Sequence, residues 1–453
     1  MAANQPGNKN KQIGIIAAAA GAFLLLCCCG IAVVLIFGNY QYIQNRLALR
    51  PTAPNTPIPA VAAPTDTSEP ALQPAPSETP SEELTPSTST PISPTSLPGS
   101  VKITVWITQK SDALNKQITL YQETNPSVTI SVTVVTQDKI NDQWTQGVAN
   151  GTAPDLMLAD NTNLWKLLKA KAVQPLDEAT KGSLKGYTNT ALSGMTIGGN
   201  LYGVPVRFEL DGLLYNTSMV DNPPAKISDL SLLFRTGTKY GLVKSPTSLY
   251  GYMSAYGGTL ADKNGRCIAT PVGFEDALND MRQVKKYGSF LVDDPAIIRE
   301  KFKAEQIAMI LDNSSQLADY VQALGDKVAS APMPGATNPA SVIVKQTGFY
   351  INPASQNQKL AVDLALTLSN AQAQTAYMAE YWVPTRSDVQ VKDPAIKGFV
   401  DGAQTGYPIP QAAWFSNWEG PFLDMINQVY NNQFDIPDAI RLACKNMDAL
   451  NNK

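Results

Sequence analysis

The chain reads as an α/β protein of two lobes behind an N-terminal transmembrane helix and a disordered linker. Three observations predict this: a charge-free apolar run at residues 13–37, a proline-rich stretch at 51–100, and strand-like and helix-like segments alternating from Val101 to Lys453. With 453 residues, 44% apolar and 16% charged, most of the chain can bury cores, and it is too long for one.

The apolar run is "IGIIAAAAGAFLLLCCCGIAVVLIF". At helical rise it spans about 37 Å, enough to cross a bilayer with some tilt. The following "FGNYQYIQNR" offers no small-residue cleavage site. Leu26 before Cys27 is not the small residue a lipoprotein signal needs. Residues 1–12 are then a short tail, 13–38 an uncleaved anchor touching membrane lipid, and Cys27, Cys28 and Cys29 apolar packing residues. Tyr40 and Tyr42 fall at the interface. Residues 39–100 form the linker. The part from 51 holds thirteen prolines and no lysine, arginine or aromatic residue, so it cannot bury a core.

Composition changes at Val101. "VKITVWIT" reads as a strand, and the helix after it begins on Ser111 and Asp112. "VTISVTVV" and "DLMLA" are further strands, each followed by a helical segment. Strand–helix alternation of this kind argues an open sheet with crossover helices. Ligands in such sheets lie beyond the carboxyl ends of the strands. Those ends are polar here: Thr108 to Asp112 and Asp160 to Asn163. Helices are expected at 273–287, 294–304, 357–379, 419–431 and 436–450, with strand-like islands "IAMILD" and "SVIVKQTGFYI" between them.

Whole function classes drop out. A net charge of −3 gives no basic field for nucleic acid. No histidine occurs, which removes Ser-His-Asp and Cys-His catalysis and most zinc sites. No CxxC pair exists, so a thioredoxin-like or zinc-ribbon reading has no support; no metal or cofactor is expected.

One stretch raises a question. In "YGVPVRFELDGLLYN", residues 202–216, Val204, Val206, Phe208 and Leu210 form one strand face. Pro205, Arg207, Glu209 and Asp211 form the other. Three charges in register on an apolar strand need water, partners or a ligand.

Five segments in order resemble the extracellular solute-binding proteins of family 1, the maltose-binding-protein-like receptors of ABC sugar importers. They are "VKITVWIT" with the helix ending "LYQETNPSVTISV"; "WTQGVANGTAPDLMLAD"; "GNLYGVPVRFELDGLLYNTSMVDNPPAKISDL"; "FKAEQIAMILDNSSQLADY"; and "EYWVPTRSD". Each motif alone is weak, and together they cover essentially all of 101–453. The resemblance implies a periplasmic-binding-protein-like fold (type II, the Venus flytrap) with three crossing segments and a ligand cleft between the lobes. Lobe 1 would comprise about 101–207 and 331–381, lobe 2 about 212–330 and 386–453.

It also implies the site. Residues 202–216 resemble the first crossing strand, with Arg207 and Glu209 on the cleft-lining face; the alternative is a solvent-facing ion pair of little worth. Lys110 matches the ligand loop after the first strand, or is simply an exposed lysine. Asp160 and Asn161 either take sugar hydroxyls or cap the next helix. In "SPTSLYGYMSAYGGTLAD", Tyr250 resembles a stacking aromatic, against ordinary helix packing. Two places after Asn313 the maltose-binding type carries an aromatic where this chain has Ser315. That departure leaves Trp382, Trp414 and Trp418 as stacking candidates or as core. Because the family packs the C-terminal helix on lobe 2, Cys267 and Cys444 lie in one lobe, as a disulfide or as two buried thiols.

The function implied is a membrane-anchored, extracellular or periplasmic substrate-binding protein that captures a sugar or oligosaccharide and delivers it to an ABC permease. Two alternatives are a glycoside hydrolase built on paired carboxylates such as Glu209 with Asp160 or Asp211, and a solute-sensing ectodomain. The acids carry no signature of an acid–nucleophile pair, so no enzyme is expected.

Overall fold

The structure is a computed structural model that describes residues 100–453. The anchor expected at 13–38 and nearly all of the linker expected at 39–100 lie outside the described residues. Among the described residues no helix is long and apolar enough to cross a membrane.

Eleven strands form one continuous mixed sheet in the order β2-β1-β3-β11-β6-β9-β7-β8, with β10 and β12 on β6 and β13 on β11; β4 and β5 make a separate hairpin. In chain order these are β1 Val101–Ile107, β2 Val128–Val134, β3 Leu156–Asp160, β4 Thr196–Ile197, β5 Asn200–Leu201, β6 Val204–Asn216, β7 Tyr240–Val243, β8 Phe290–Val292, β9 Met309–Asn313, β10 Val328–Ala331, β11 Ile343–Ile351, β12 Val383–Pro384 and β13 Tyr407–Pro408. At one end β1, β2 and β3 run parallel, and at the other β7, β8 and β9 do. Each end is a βαβ lobe with crossover helices.

β6 links the lobes. From Val204 to Leu210 it pairs with β11, and from Asp211 to Tyr215 with β9. β11 likewise serves both ends: Thr347–Ile351 lie against β3, and Ile343–Val344 against β13. β12 crosses beside them, against Arg207 and Phe208. The ladder of β6 and β11 slips between Thr347 and Gly348, at the β6 proline. Pro205 has no N–H to donate there. Gly348 fits because a Cβ would meet the Val204 carbonyl at 2.8 Å.

Local chemistry starts the helices where the pattern predicts. Ser111 accepts the Leu114 N–H at 3.0 Å, and Leu114, Ile118 and Tyr121 bury one face. The expected helix 357–379 is two helices, Gln358–Thr367 and Ala371–Tyr377. Asn370 breaks it by accepting the Ala373 N–H at 2.8 Å, an N-cap inside an unbroken apolar pattern. In lobe 1 the sheet carries cores on both faces, one with Leu114, Tyr121 and Leu364, the other with Trp144, Leu164 and Tyr350. Lobe 2 has one larger core that includes Tyr240, Tyr252, Phe274, Phe302, Tyr320 and Phe422. Each fully buried phenylalanine among these stabilises by roughly 1.5–3 kcal/mol.

Cys267 and Cys444 are joined in a disulfide, with Cα atoms 5.2 Å apart. It ties the turn after Leu260 to helix Ile436–Leu450.

Candidate functional site

The β6 charges each meet a partner in register across the sheet. Arg207 lies opposite Thr347, Glu209 opposite Lys345, and Asp211 opposite Asn313. Directly opposed side chains sit close enough to interact. Lys345 Nζ is 2.7 Å from Glu209 Oε2, and Arg207 Nη2 donates to Glu209 Oε1 at 3.1 Å. Asn313 Nδ2 donates to Asp211 Oδ1 at 3.1 Å. Lys345 also reaches Asp160 Oδ2, at 3.8 Å. The Arg207 guanidinium lies 4.5 Å from the Trp382 ring centre, a cation–π contact. The row Trp382–Arg207–Glu209–Lys345–Asp160 is therefore continuous.

This row borders two hollows that share Glu209. The larger, about 350 Å³, is lined from the lobe 1 side by Thr162 and Trp165, from the strands by Glu209, Asp211, Asn313 and Lys345, and from lobe 2 by Thr247 and residues between Ile409 and Glu419. The smaller, about 130 Å³, is lined by Gln109, Arg207, Ser315, Glu380 and Trp382 among others.

Burial alone would push the Glu209 carboxyl up, but Lys345 and Arg207 hold it below the usual carboxylate range. Among the described residues Asp211 makes no salt bridge. Burial pushes its carboxyl up to about 6; the Asn313 hydrogen bond opposes this, the neighbouring Asp312 adds to it, and the Arg299 charge is the weakest of the influences. Two acids about 7 Å of strand apart therefore titrate in different pH ranges. A sign follows for each property. The folded Asp211 pKa lies above its ordinary 3.8, so its contribution to stability grows as pH falls through 6 and levels off below 3.8. Ligand hydroxyls donate best to an ionised acceptor. Affinity is therefore expected to be flat above pH 7 and to weaken through pH 6, and Asp211→Asn to remove that step; calorimetric titration across this range checks it.

The structure sorts the expected site residues. Arg207, Glu209, Asp160 and Trp382 come together in the row, and Asn313 lines the larger hollow. The others stand apart. Lys110 is exposed on the loop after β1 and lines neither hollow; its neighbour Gln109 does. Asn161 is fully buried, accepting the Gln346 N–H at 3.1 Å and donating to the Gly194 carbonyl at 2.9 Å. It staples β3 to β11 and, with no exposed surface, lines neither hollow. Asp160 does accept the Thr162 N–H, at 3.0 Å, as a turn-forming acid. Tyr250 stacks on Tyr407 at 5.5 Å and meets the edge of Trp418 at 6.1 Å, outside both linings. Trp418 is 1% exposed, packed by Phe415 and Phe422, and is core. Trp414 lies behind the wall, edge-on to Phe415 at 5.6 Å.

Sequence reasoning missed Lys345, Trp165 and Phe415, and it placed Asp211 on the cleft-lining face without naming it a ligand candidate. Lys345 carried a signal, being a lone cation in the apolar run "SVIVKQTGFYI". Trp165 carried almost none, since "NLWKLLKAKA" reads as an ordinary amphipathic helix.

Two α/β lobes, strands that run through both, and a polar cavity with aromatic walls at their junction define a two-lobe solute-binding protein. Residues 116–398 match the bacterial extracellular solute-binding proteins, and the chain belongs to that family. Members bind solutes and are not enzymes. Among similar solved structures, the Thermus thermophilus maltotriose binding protein bound with maltotriose is 23% identical, with a TM-score of 0.62 over 77% of this chain and 99% of that one. The cyclic alpha-maltosyl-1,6-maltose binding protein of Arthrobacter globiformis is 18% identical, with a TM-score of 0.69 over 78% and 100%. The Staphylococcus aureus extracellular solute-binding protein in complex with maltose is 18% identical, with a TM-score of 0.66 over 77% and 97%.

Proposed function

We propose that residues 101–453 capture a sugar or oligosaccharide between the lobes and present it to the membrane subunits of an ABC importer. The observation that carries this reading is the make-up of the larger hollow. It sets the Trp165 and Phe415 rings around the carboxylates of Glu209 and Asp211, the Asn313 amide and Lys345. A pyranose offers hydroxyls at its edge and C–H groups on its face. Carboxylates, amides and ammonium groups take the first through directional hydrogen bonds, and flat rings cover the second. The maltotriose and maltose named for the similar structures are the first ligands to try.

A thermal-shift screen of 101–453 against a carbohydrate library tests it. A saturable rise in Tm with no product released is expected. A rise with other solutes and none with any saccharide overturns the ligand class, and sustained product release overturns the binding role. Trp165→Ala is expected to weaken saccharide binding about tenfold through lost ring contact, read by calorimetry.

The apolar segment 13–37 serves in this reading as an anchor that holds the binding domain outside the cell, with the proline-rich stretch as its spacer. The full chain is then expected to sediment with membranes and the 101–453 fragment to stay monodisperse without detergent. A full chain found in the soluble fraction, or released shortened by a signal peptidase, sinks the anchor.

A further inference from the structure

The lobe 2 wall of the larger hollow is braced from behind. Ala412, Phe415, Ser416 and Glu419 line the hollow, and Trp414 and Asn417 between them do not. Both serve the brace. Trp414 lies over Gly265, where φ is +80° and any Cβ would collide with the indole. Asn417 Nδ2 donates to Asn451 Oδ1 at 2.9 Å, and Asn451 Nδ2 donates to the Gly265 carbonyl at 3.3 Å. The turn around Gly265 is in turn pinned to the C-terminal helix. The Cys267 N–H donates to Asp448 Oδ1 at 2.7 Å, and Cys267 is bonded to Cys444. The wall, the turn 262–267 and the end of helix Ile436–Leu450 thus close a ring of one covalent and several polar links.

We infer that the Cys267–Cys444 bridge, acting through Gly265, Trp414 and Asn451, is a positioning element for the ligand-facing wall 412–419 and so sets the affinity of the cavity. This rests on the reading of that cavity as the ligand site. The physical reason is pre-organisation. Ahead of the helix that starts at Glu419, the wall has a five-residue 3-10 turn, Ala413–Asn417, set on the core by the buried Phe415 and Trp418. The turn 262–267 has one isolated bridge, Ala261 to Cys267, and local bonds to Asp262. Neither is held by a sheet ladder, so beyond the core packing of Phe415 and Trp418 the position of the wall is set by its links to the turn 262–267 and to the helix both touch. A wall held in its binding geometry before the ligand arrives leaves less ordering to be done on binding.

The test compares the full chain with its C267A/C444A double variant. Amide hydrogen exchange needs no ligand. Residues 412–419 are expected to exchange faster in the variant while β7 and β9 of the same lobe keep their protection. The dissociation constant for maltotriose is expected to rise about fivefold or more, the range of ordinary site-to-site coupling. Unchanged protection of 412–419, or unchanged affinity in a folded variant, overturns the inference. Asn451→Ala keeps the bridge and removes one link of the ring; it repeats both readings if the double variant does not fold. If the full chain binds no saccharide of the library, the saccharide reading fails and the exchange measurement still decides the brace.

Discussion

Glu209→Ala is expected to weaken ligand binding about ten- to a hundredfold and to destabilise the domain. Among the described residues, Glu209 is the one carboxylate that forms salt bridges with both cations of the row, Arg207 at 3.1 Å and Lys345 at 2.7 Å. Arg207 and Glu209 side chains are 13% and 12% exposed, so their charges are largely out of water. Removing one member of such a pair leaves an uncompensated buried charge, at a cost of about 3–5 kcal/mol. Lys345 keeps Asp160 nearby, which places the effect toward the lower end. Separately from stability, the lost charged acceptor accounts for the roughly ten- to hundredfold loss of affinity. Glu209→Gln keeps the shape and separates the two effects: it is expected to lose affinity with a smaller loss of stability. Denaturant unfolding and calorimetry on both variants check this. An alanine variant that keeps wild-type stability would show that the row is solvated and that the cations do not depend on Glu209.

The second large effect is loss of the Cys267–Cys444 bridge, which closes a loop of 177 residues. Constraining so long a loop in the unfolded chain is worth about 5 kcal/mol by chain entropy, and removing a native disulfide typically costs about 2–5 kcal/mol. The C267A/C444A variant is therefore expected to unfold at clearly lower denaturant than wild type. A midpoint within error of wild type would mean that the thiols are unlinked in the exported protein, and non-reducing peptide mapping would then find both free.

β6 shows how much was legible. Its alternation over residues 204–211 marked a strand with one charged face, and the strand is there. The question raised by three charges in register has a local answer for the strand and a non-local one for the charges. Their partners, Thr347, Lys345 and Asn313, are more than a hundred residues away. The tryptophans show the opposite limit. Trp165, Trp414 and Trp418 all sit in helical or turn segments, and nothing within a few residues of each says which faces a cavity. Asn161 was misjudged for the same reason. Its amide is consumed by Gln346 and Gly194, which reach it only when β3 and β11 pair.

Residue periodicity, caps and composition act over one or two turns of chain, so they alone set the strands and helices, the α/β alternation, the change at Val101 and the apolar and polar faces of β6. Order of strands and register between them come from burying those faces against segments far off in sequence. That packing alone brought Lys345 to Glu209 and Asp160. It also left Asp211 without a salt bridge among the described residues, turned Trp418 into the core, set Trp165 and Phe415 at one hollow, and joined Cys267 to Cys444. Local patterns carry a side chain's direction relative to its own element, and a binding site is made of directions converging from several elements at once.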